Sequence, residues 1–234
     1  MFKRALYLQV RDVLVERIAA GAWKPGAAIP NEVELAREFG VSPGTMRKAL
    51  DLMEAMRLLT RRQGRGTFVN DPSSAELTAR FSNVRNPDGA SIVEEVKTGE
   101  VAEWAVSDVE CLRLHLSKDD RVYRLSRKRL HQGRAYMIED VSMPVALFPG
   151  LAGEQSSSPG LTELAGQYGV LLGKAEERVS VKDAPLGVAE ALGIALGSPV
   201  LVLDRVVFAL DGRPAEWRMG WCHISDGHYL AEMK

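Results

Sequence analysis

The sequence predicts an α+β protein in two parts: a small helical front that ends in a hairpin, and a larger remainder of helices set between alternating strands. Three observations carry this. The 234 residues, 46% hydrophobic and 26% charged, suit one large or two smaller domains with a real core. The net charge of −1 conceals an asymmetry, because residues 1–70 hold 12 Lys+Arg against 7 Asp+Glu and the rest hold 18 against 24. The apolar period is helical at the front and changes from about Ser91 to helices between alternating strands. A basic front on an acidic body points to a polyanion met by the front alone.

Composition also narrows the chemistry. No apolar run approaches the roughly 18 residues of a membrane span, and "MFKRALYLQVRDVL" interrupts its apolar pattern with charges, unlike a secretory signal. Cys111 and Cys222 lie far apart with no CxxC spacing, so no disulfide framework is expected and a cytoplasmic location is the default. Cys222, His223 and His228 fit no standard zinc spacing. Gly173-Lys174 lacks the leading glycines and Ser/Thr of a phosphate loop, and no GxSxG or HExxH occurs. No metal and no cofactor are expected.

The elements follow in order. Leu6, Val10, Val13, Leu14 and Ile18 mark one face of a first helix ending near Gly21. "AWKPGAAIP" is a Pro/Gly-punctuated connection. "NEVELAREFG" is a short helix: Asn31 caps it, Glu34 closes a capping box, Leu35, Ala36 and Phe39 face inward, and Gly40 ends it. The next helix starts two residues on, with Ser42 as N-cap and Pro43 at the first helical position. Two short helices joined by a glycine-containing turn form a helix-turn-helix, whose second helix enters the major groove. Thr45, Arg47 and Lys48 point away from the Met46/Ala49/Leu50/Met53 face at its entrance, and Gly44 leaves room for a close backbone. There a helix N-terminus attracts phosphate, Arg pairs with guanine, and Lys meets phosphate. "LLTRRQGRGTFV" then makes a hairpin with Arg61, Arg62 and Arg65 around its tip, the wing of a winged helix-turn-helix. A solvated helix and an ordinary hairpin are the plainer alternative. Domain limits of 1–70, a linker over 71–90 and a second domain over 91–234 follow.

In the second domain "VECLRLHLSKDDRVYRLSRKRLHQGRAYMIED" is echoed about 78 residues on by "VAEALGIALGSPVLVLDRVVFALDGRPAEW". Each has a helix, a turn, a strand through Arg127 or Arg205, a Gly-Arg hairpin turn and a return strand, with Glu139 and Glu216 at corresponding places. The repeat predicts a pseudo-symmetric, antiparallel sheet. Arg127 and Arg129, two apart, share a strand face opposite Lys128. Side by side they repel unless a carboxylate or phosphate neutralises them; salt bridges and a metabolite's anionic group both answer. Glu139 and Glu216 fit two roles equally, accepting ligand hydrogens or balancing the arginines.

The front, through "GAWKPG", "PNEVELA", "FGVS", "TMRKAL" and "GRGTFV", resembles the GntR family of bacterial transcription regulators. Val33 and Pro43 stand where that family often carries arginines, which shifts base reading onto Arg47, Lys48 and the wing; the resemblance places Gly64 at the minor groove. DNA contacts are thus expected at Ser42, Gly44, Thr45, Arg47, Lys48, Arg62, Gly64 and Arg65. The remainder, through "VYRLSRKRL", "GRAYMIED" and "GRPAEW", resembles the UTRA effector domain of the HutC branch, a mixed α/β chorismate-lyase-like fold with an antiparallel sheet. That resemblance makes Arg127 and Arg129 ligand-binding arginines and adds Tyr229 from the closing segment. It implies a homodimer, a palindromic double-stranded DNA operator, a small anionic metabolite as effector, and a repressor. Two alternatives stand beside it: an active lyase-like domain fused to a DNA-binding head, and a ligandless domain used only for assembly.

Overall fold

A computed structural model describes residues 4–71, 82–90, 92, 95–152 and 160–231. The chain divides into one unit of residues 1–74 with 169–171, and another of 75–168 with 172–234. Residues 72–81 of the stretch read as a linker, and Ser91, lie outside the described residues.

The first unit holds α1 (Leu6–Ala19), α2 (Glu32–Glu38), α3 (Pro43–Ala55) and a hairpin of β1 (Leu59–Arg62) and β2 (Gly66–Val69). Asn31 accepts from the N–H groups of Val33 and Glu34 at 3.0 Å, and Glu34 accepts from the Asn31 N–H at 2.9 Å, so the capping box is closed. Gly40, at φ +63°, turns the chain where a side chain would be strained, and Ser42 then caps α3 through the Thr45 N–H. Leu35, Met46, Ala49, Leu50 and Met53 close the core against Val10 and Leu14. Leu6 and Val13, expected on the buried face of α1, are exposed. The stripe runs instead through Val10, Leu14, Val15 and Ile18, because the helix meets its neighbours on the Val15 side. The connection after α1 is also more than a turn. Gly26 and Ile29 donate to Val69 and Thr67 at 2.9 Å, and Val69 donates back to Ala27 at 3.0 Å, laying a third extended segment along β2.

The second unit is a seven-stranded antiparallel sheet in the order β4-β6-β7-β10-β9-β8, with β5 also on β6. Its strands are β4 (Glu95–Thr98), β5 (Ala102–Ala105), β6 (Arg121–His131), β7 (Arg134–Pro144), β8 (Leu172–Asp183), β9 (Pro199–Ala209) and β10 (Pro214–Cys222). A separate pair joins β3 (Val84–Arg85) to β11 (His228–Tyr229). Among the described residues the unit also holds the helices α4 (Asp108–Leu114), α5 (Leu161–Gln167) and α6 (Leu186–Leu192). The internal repeat holds at a constant offset of 78 through the helix and first strand of each copy, α4–β6 and α6–β9. Both helices end on a left-handed residue, Gly193 at φ +66° and His115 at φ +54°, so one copy carries histidine where glycine costs less. Both return strands bulge just after the hairpin, and the copies slip by one residue because Ala209 closes on Arg213 across three residues where His131 closes on Arg134 across two.

Glu110 fastens α4 to the sheet. Its carboxylate accepts from the Ser107 N–H (2.8 Å) and hydroxyl (2.7 Å), from the Ser142 hydroxyl (2.7 Å), and from Arg124 at 2.8 and 2.6 Å. Burial pushes its pKa up, but Arg124 and the serine donors outweigh that and hold it at about 2 against an ordinary 4.5. A carboxylate that binds protons less readily when folded adds stability that is whole above about 4.5 and is lost as pH falls towards about 2. Stability should therefore fall between pH 5 and 2 more steeply in the native chain than in Glu110→Gln, which should cost roughly 1–3 kcal/mol at neutral pH. Urea unfolding across that range measures both, and parallel curves would remove Glu110 from the account.

Candidate nucleic-acid interface and anion site

In the first unit Ser42, Gly44, Arg47 and Lys48 are exposed at the start of α3 and Thr45 is half-buried, while Arg62, Gly64 and Arg65 are exposed at the hairpin. A Cβ on Gly44 would meet only the Ser42 Oγ, at 3.9 Å, so nothing inside the protein requires glycine there. Ser42 Oγ and Thr45 Oγ1 lie 2.9 Å apart. Arg47 is held by Glu32 of α2, its Nε–H donating to Oε2 at 3.1 Å and its Nη2 to Oε1 at 2.9 Å. That hydrogen-bonded contact raises the Arg47 pKa further. An exposed pair adds little to stability, so its effect is geometric: it fixes a flat guanidinium fork at the helix entrance. Arg61 does not join the other wing arginines. Its guanidinium donates to Asp51 at 2.5 Å and Glu54 at 3.1 Å, fastening the hairpin to α3. Arg62 lies 4.9 Å from the Phe68 ring.

In the second unit the sheet register lines up two neighbouring rows of charge on one face. Arg127 stands opposite Glu139, Glu139 opposite Gly220, Arg218 opposite Arg205, and Arg205 opposite Glu177. Paired residues share a face, so these side chains meet. Arg127 donates to Glu216 at 3.1 Å, Arg129 Nε to Glu139 at 2.9 Å, and Arg205 Nε to Glu177 at 2.7 Å. Arg218 reaches Glu139 at 2.6 Å and Glu177 at 3.4 Å. Tyr229 donates its hydroxyl to Glu177, and Asn83 donates to the Tyr229 oxygen at 2.8 Å.

The longer turn between β9 and β10 changes one expectation. Glu216 does not stand to Arg205 as Glu139 stands to Arg127; the position across from Arg205 is Arg218. The second copy thus sets two buried guanidiniums face to face, and carboxylates from elsewhere, Glu177 and Glu139, balance them. Burial pushes Glu139 up, yet Arg218, Arg129 and Arg127 outweigh it and hold it at about 2. Glu177 is lowered likewise by Arg205 against its burial. Burial and the neighbouring Arg218 lower Arg205.

Beside these rows Arg129, Arg205, Arg218, Asn83, Val84 and Leu203 line a cavity of about 10 Å³, room for about one water. The Nε–H of Arg218, a side chain only 5% exposed, has no acceptor among the described residues. A buried donor left open is costly, so this one marks where an acceptor would be welcomed. A wider, open groove on the other side of the sheet runs past Trp104, Arg124, Asp140 and Trp217, but its Glu110–Arg124 pair is already closed on itself. The structure thus brings Arg127, Arg129, Glu139, Glu216 and Tyr229 into one region and adds Glu177, Arg218 and Asn83, which no local motif announces.

Comparison with known proteins supports both halves. Residues 6–69 match "Bacterial regulatory proteins, gntR family" and residues 93–226 match the UTRA domain. The chain is 28% identical to the mannosyl-D-glycerate transport/metabolism system repressor MngR of Escherichia coli over 93% of this chain and 91% of that one. It is 25% identical to the transcriptional repressor NagR of Bacillus subtilis over 90% and 87%. The crystal structure of PhnF from Mycobacterium smegmatis shares the fold, with a TM-score of 0.56 at 22% identity over 96% and 99% of the two chains.

If Arg47 reads a base, Arg47→Ala should weaken binding to a selected site by about 1–3 kcal/mol and relax preference at one position. Arg65→Ala should weaken binding on all DNA and reduce the salt dependence by about one phosphate contact. Binding titrations on selected and random duplexes at several salt concentrations check this, and equal behaviour of the two variants would reverse the assignment.

Proposed function

The chain belongs to the GntR family of transcription regulators, with a UTRA domain behind its winged helix-turn-helix head, and on that premise we propose that it is a repressor released from DNA by a small anionic metabolite. The observation that carries the ligand's charge is the open Nε–H of Arg218, buried beside Arg129 and Arg205. A phosphate or carboxylate there would accept from it and take over guanidiniums now held by Glu139 and Glu177. The Escherichia coli relative is named for mannosyl-D-glycerate, whose glycerate bears a carboxylate, which fits an anion bound through a sugar-sized body.

The cavity is too small for such a molecule, so binding must open it. The cover includes Asn83 and Val84, in or beside β3, and Asn83 is tied to Tyr229 and Glu177. Any effector that replaces Glu177 on the arginines loosens that tie, and a ligand shifts the protein only through such a difference between states. A two-fold dimer reading half-sites about one helical turn apart completes the proposal and predicts a palindromic operator. With operator DNA as partner, the protein acts in the cytoplasm; no helix among the described residues is long and apolar enough to cross a membrane. The relatives named above are regulators, and nothing at the cavity favours the lyase reading.

Duplexes selected from a random pool should converge on a two-fold repeat, and an anionic sugar such as mannosyl-D-glycerate or a sugar phosphate should lower affinity for them about 5- to 150-fold. Arg129→Met is the variant of choice, because Glu139 keeps Arg218 when Arg129 is truncated, whereas truncating Arg127 breaks a fully buried ion pair with Glu216. It should keep operator affinity and lose the response in a gel shift. Release of this variant at native effector concentrations, or release of the native chain by neutral sugars alone, would contradict the anion site.

A further inference from the structure

Strand β8 ends the large sheet. It pairs with β9 on one side, and among the described residues no strand pairs with its other edge. The opposite end of the sheet is blunted by two strands of four residues, β4 and β5. β8 instead runs twelve residues, nine of them exposed, and from Ala175 to Asp183 its register is unbroken and free of proline. Val179 and Val181 are 44% and 66% exposed along it. A long, regular edge with open backbone groups and bare valines is a template for another strand.

We propose that this edge pairs with the same edge of a second copy, antiparallel about a two-fold axis at Val179, so that the two sheets become one. The proposal rests on the dimeric reading above and names its interface. In an antiparallel pair, directly opposed residues share a face, and a two-fold perpendicular to the sheet therefore passes beside a single residue. The charges of β8 then choose which one. With Val179 on the axis, Glu176 faces the partner's Lys182 twice over, Arg178 faces the partner's Ser180, and the two Val179 side chains meet. Moving the axis to residue 178 sets Arg178 on itself and Lys174 on Lys182; moving it to residue 180 sets Arg178 on Lys182. Moving it to residue 177 sets Glu177 on itself, and to residue 181 shortens the paired stretch to Val179–Asp183. Like charges directly opposed destabilise a pair and opposite ones support it; an axis at residue 175 would also pair Lys174 with Glu176, but across the irregular Leu172–Ala175 stretch, so Val179 is the self-complementary choice within the unbroken stretch.

This register also joins the interface to the anion site. Glu177, which holds Arg205 and receives the Tyr229 hydroxyl, would stand opposite the partner's Val181. A ligand that frees Glu177 from the arginines would then act on a residue of the interface, and the second copy would respond to occupancy of the first.

Cysteine cross-linking of the full chain tests the register. Opposed Cα atoms about 4.5–5.5 Å apart fall within disulfide range. Under mild oxidation Val179→Cys in a Cys111→Ser background should give a covalent dimer, whereas Arg178→Cys in that background and Cys111→Ser alone should not. In sedimentation equilibrium, Glu176→Lys and Lys182→Glu should each raise the dimer dissociation constant about tenfold or more. The double swap, which restores both pairs with reversed sign, should bring it back to within about threefold of the native value. A native dimer that Val179→Cys fails to cross-link, or single and double charge variants equally weakened, would overturn the interface and leave the dimeric reading intact. A chain that stays monomeric on its operator would overturn both.

Discussion

Glu139 is a carboxylate sealed from water by the sheet it stands on, and the guanidiniums of Arg129 and Arg218 are what keep it charged there. Removing each ion of such a group from water costs several kcal/mol, and well-packed apolar residues of the same volume would serve stability equally well. The rows from Arg127 to Glu177 are therefore poor ground for explaining the fold. They suit the proposed site, because their cations are already desolvated, aligned and paired with carboxylates. Much of the second unit follows from keeping them in order. The longer turn between β9 and β10 brings Arg218 against Arg205, and Asn83 with Tyr229 fixes the far carboxylate, Glu177.

The first unit uses the same chemistry at the other dielectric extreme. Glu32 holds Arg47 as Glu139 holds Arg129, but in water, where exchanging one anion for another costs little. On the head a phosphate or base edge can take the guanidinium with almost no rearrangement. In the sheet the cavity admits about one water, so replacing a carboxylate means moving the elements that cover it. On the proposed reading, fast contact with DNA and a slower, conformationally coupled contact with a metabolite would follow from where the two pairs are buried.

The sequence shows the head clearly because its signals are local. Asn31 with Glu34, Gly40, and Ser42 with Pro43 each act within a few residues of the bond they make, and their spacing alone sets the two helices and the turn. Arg127, Arg129 and Glu139 are legible for a related reason, since one hairpin carries all three. Glu177 and Arg218 are not, because they reach the site from β8 and β10 through the register of strands distant in the chain. Alternation gives the face on which a residue lies but not its partner, and one extra residue in the turn between β9 and β10 is enough to set Arg218, not Glu216, across from Arg205. Non-local pairing also hides the Ala27–Ile29 segment along β2, which has no alternation of its own, and misplaces Leu6 and Val13, whose burial depends on which side of α1 its neighbours occupy.

The most direct test of the central claim is the position of a heavy oxyanion in a crystal of the full chain. Selenate diffused into the crystal should give an anomalous peak within hydrogen-bond reach of the Arg129, Arg205 and Arg218 guanidiniums, with the Glu139 or Glu177 carboxylate turned away from its present partner. A peak confined to the groove between Arg124 and Asp140, or arginines left with their carboxylates at saturating selenate, would contradict a site built to exchange one anion for another.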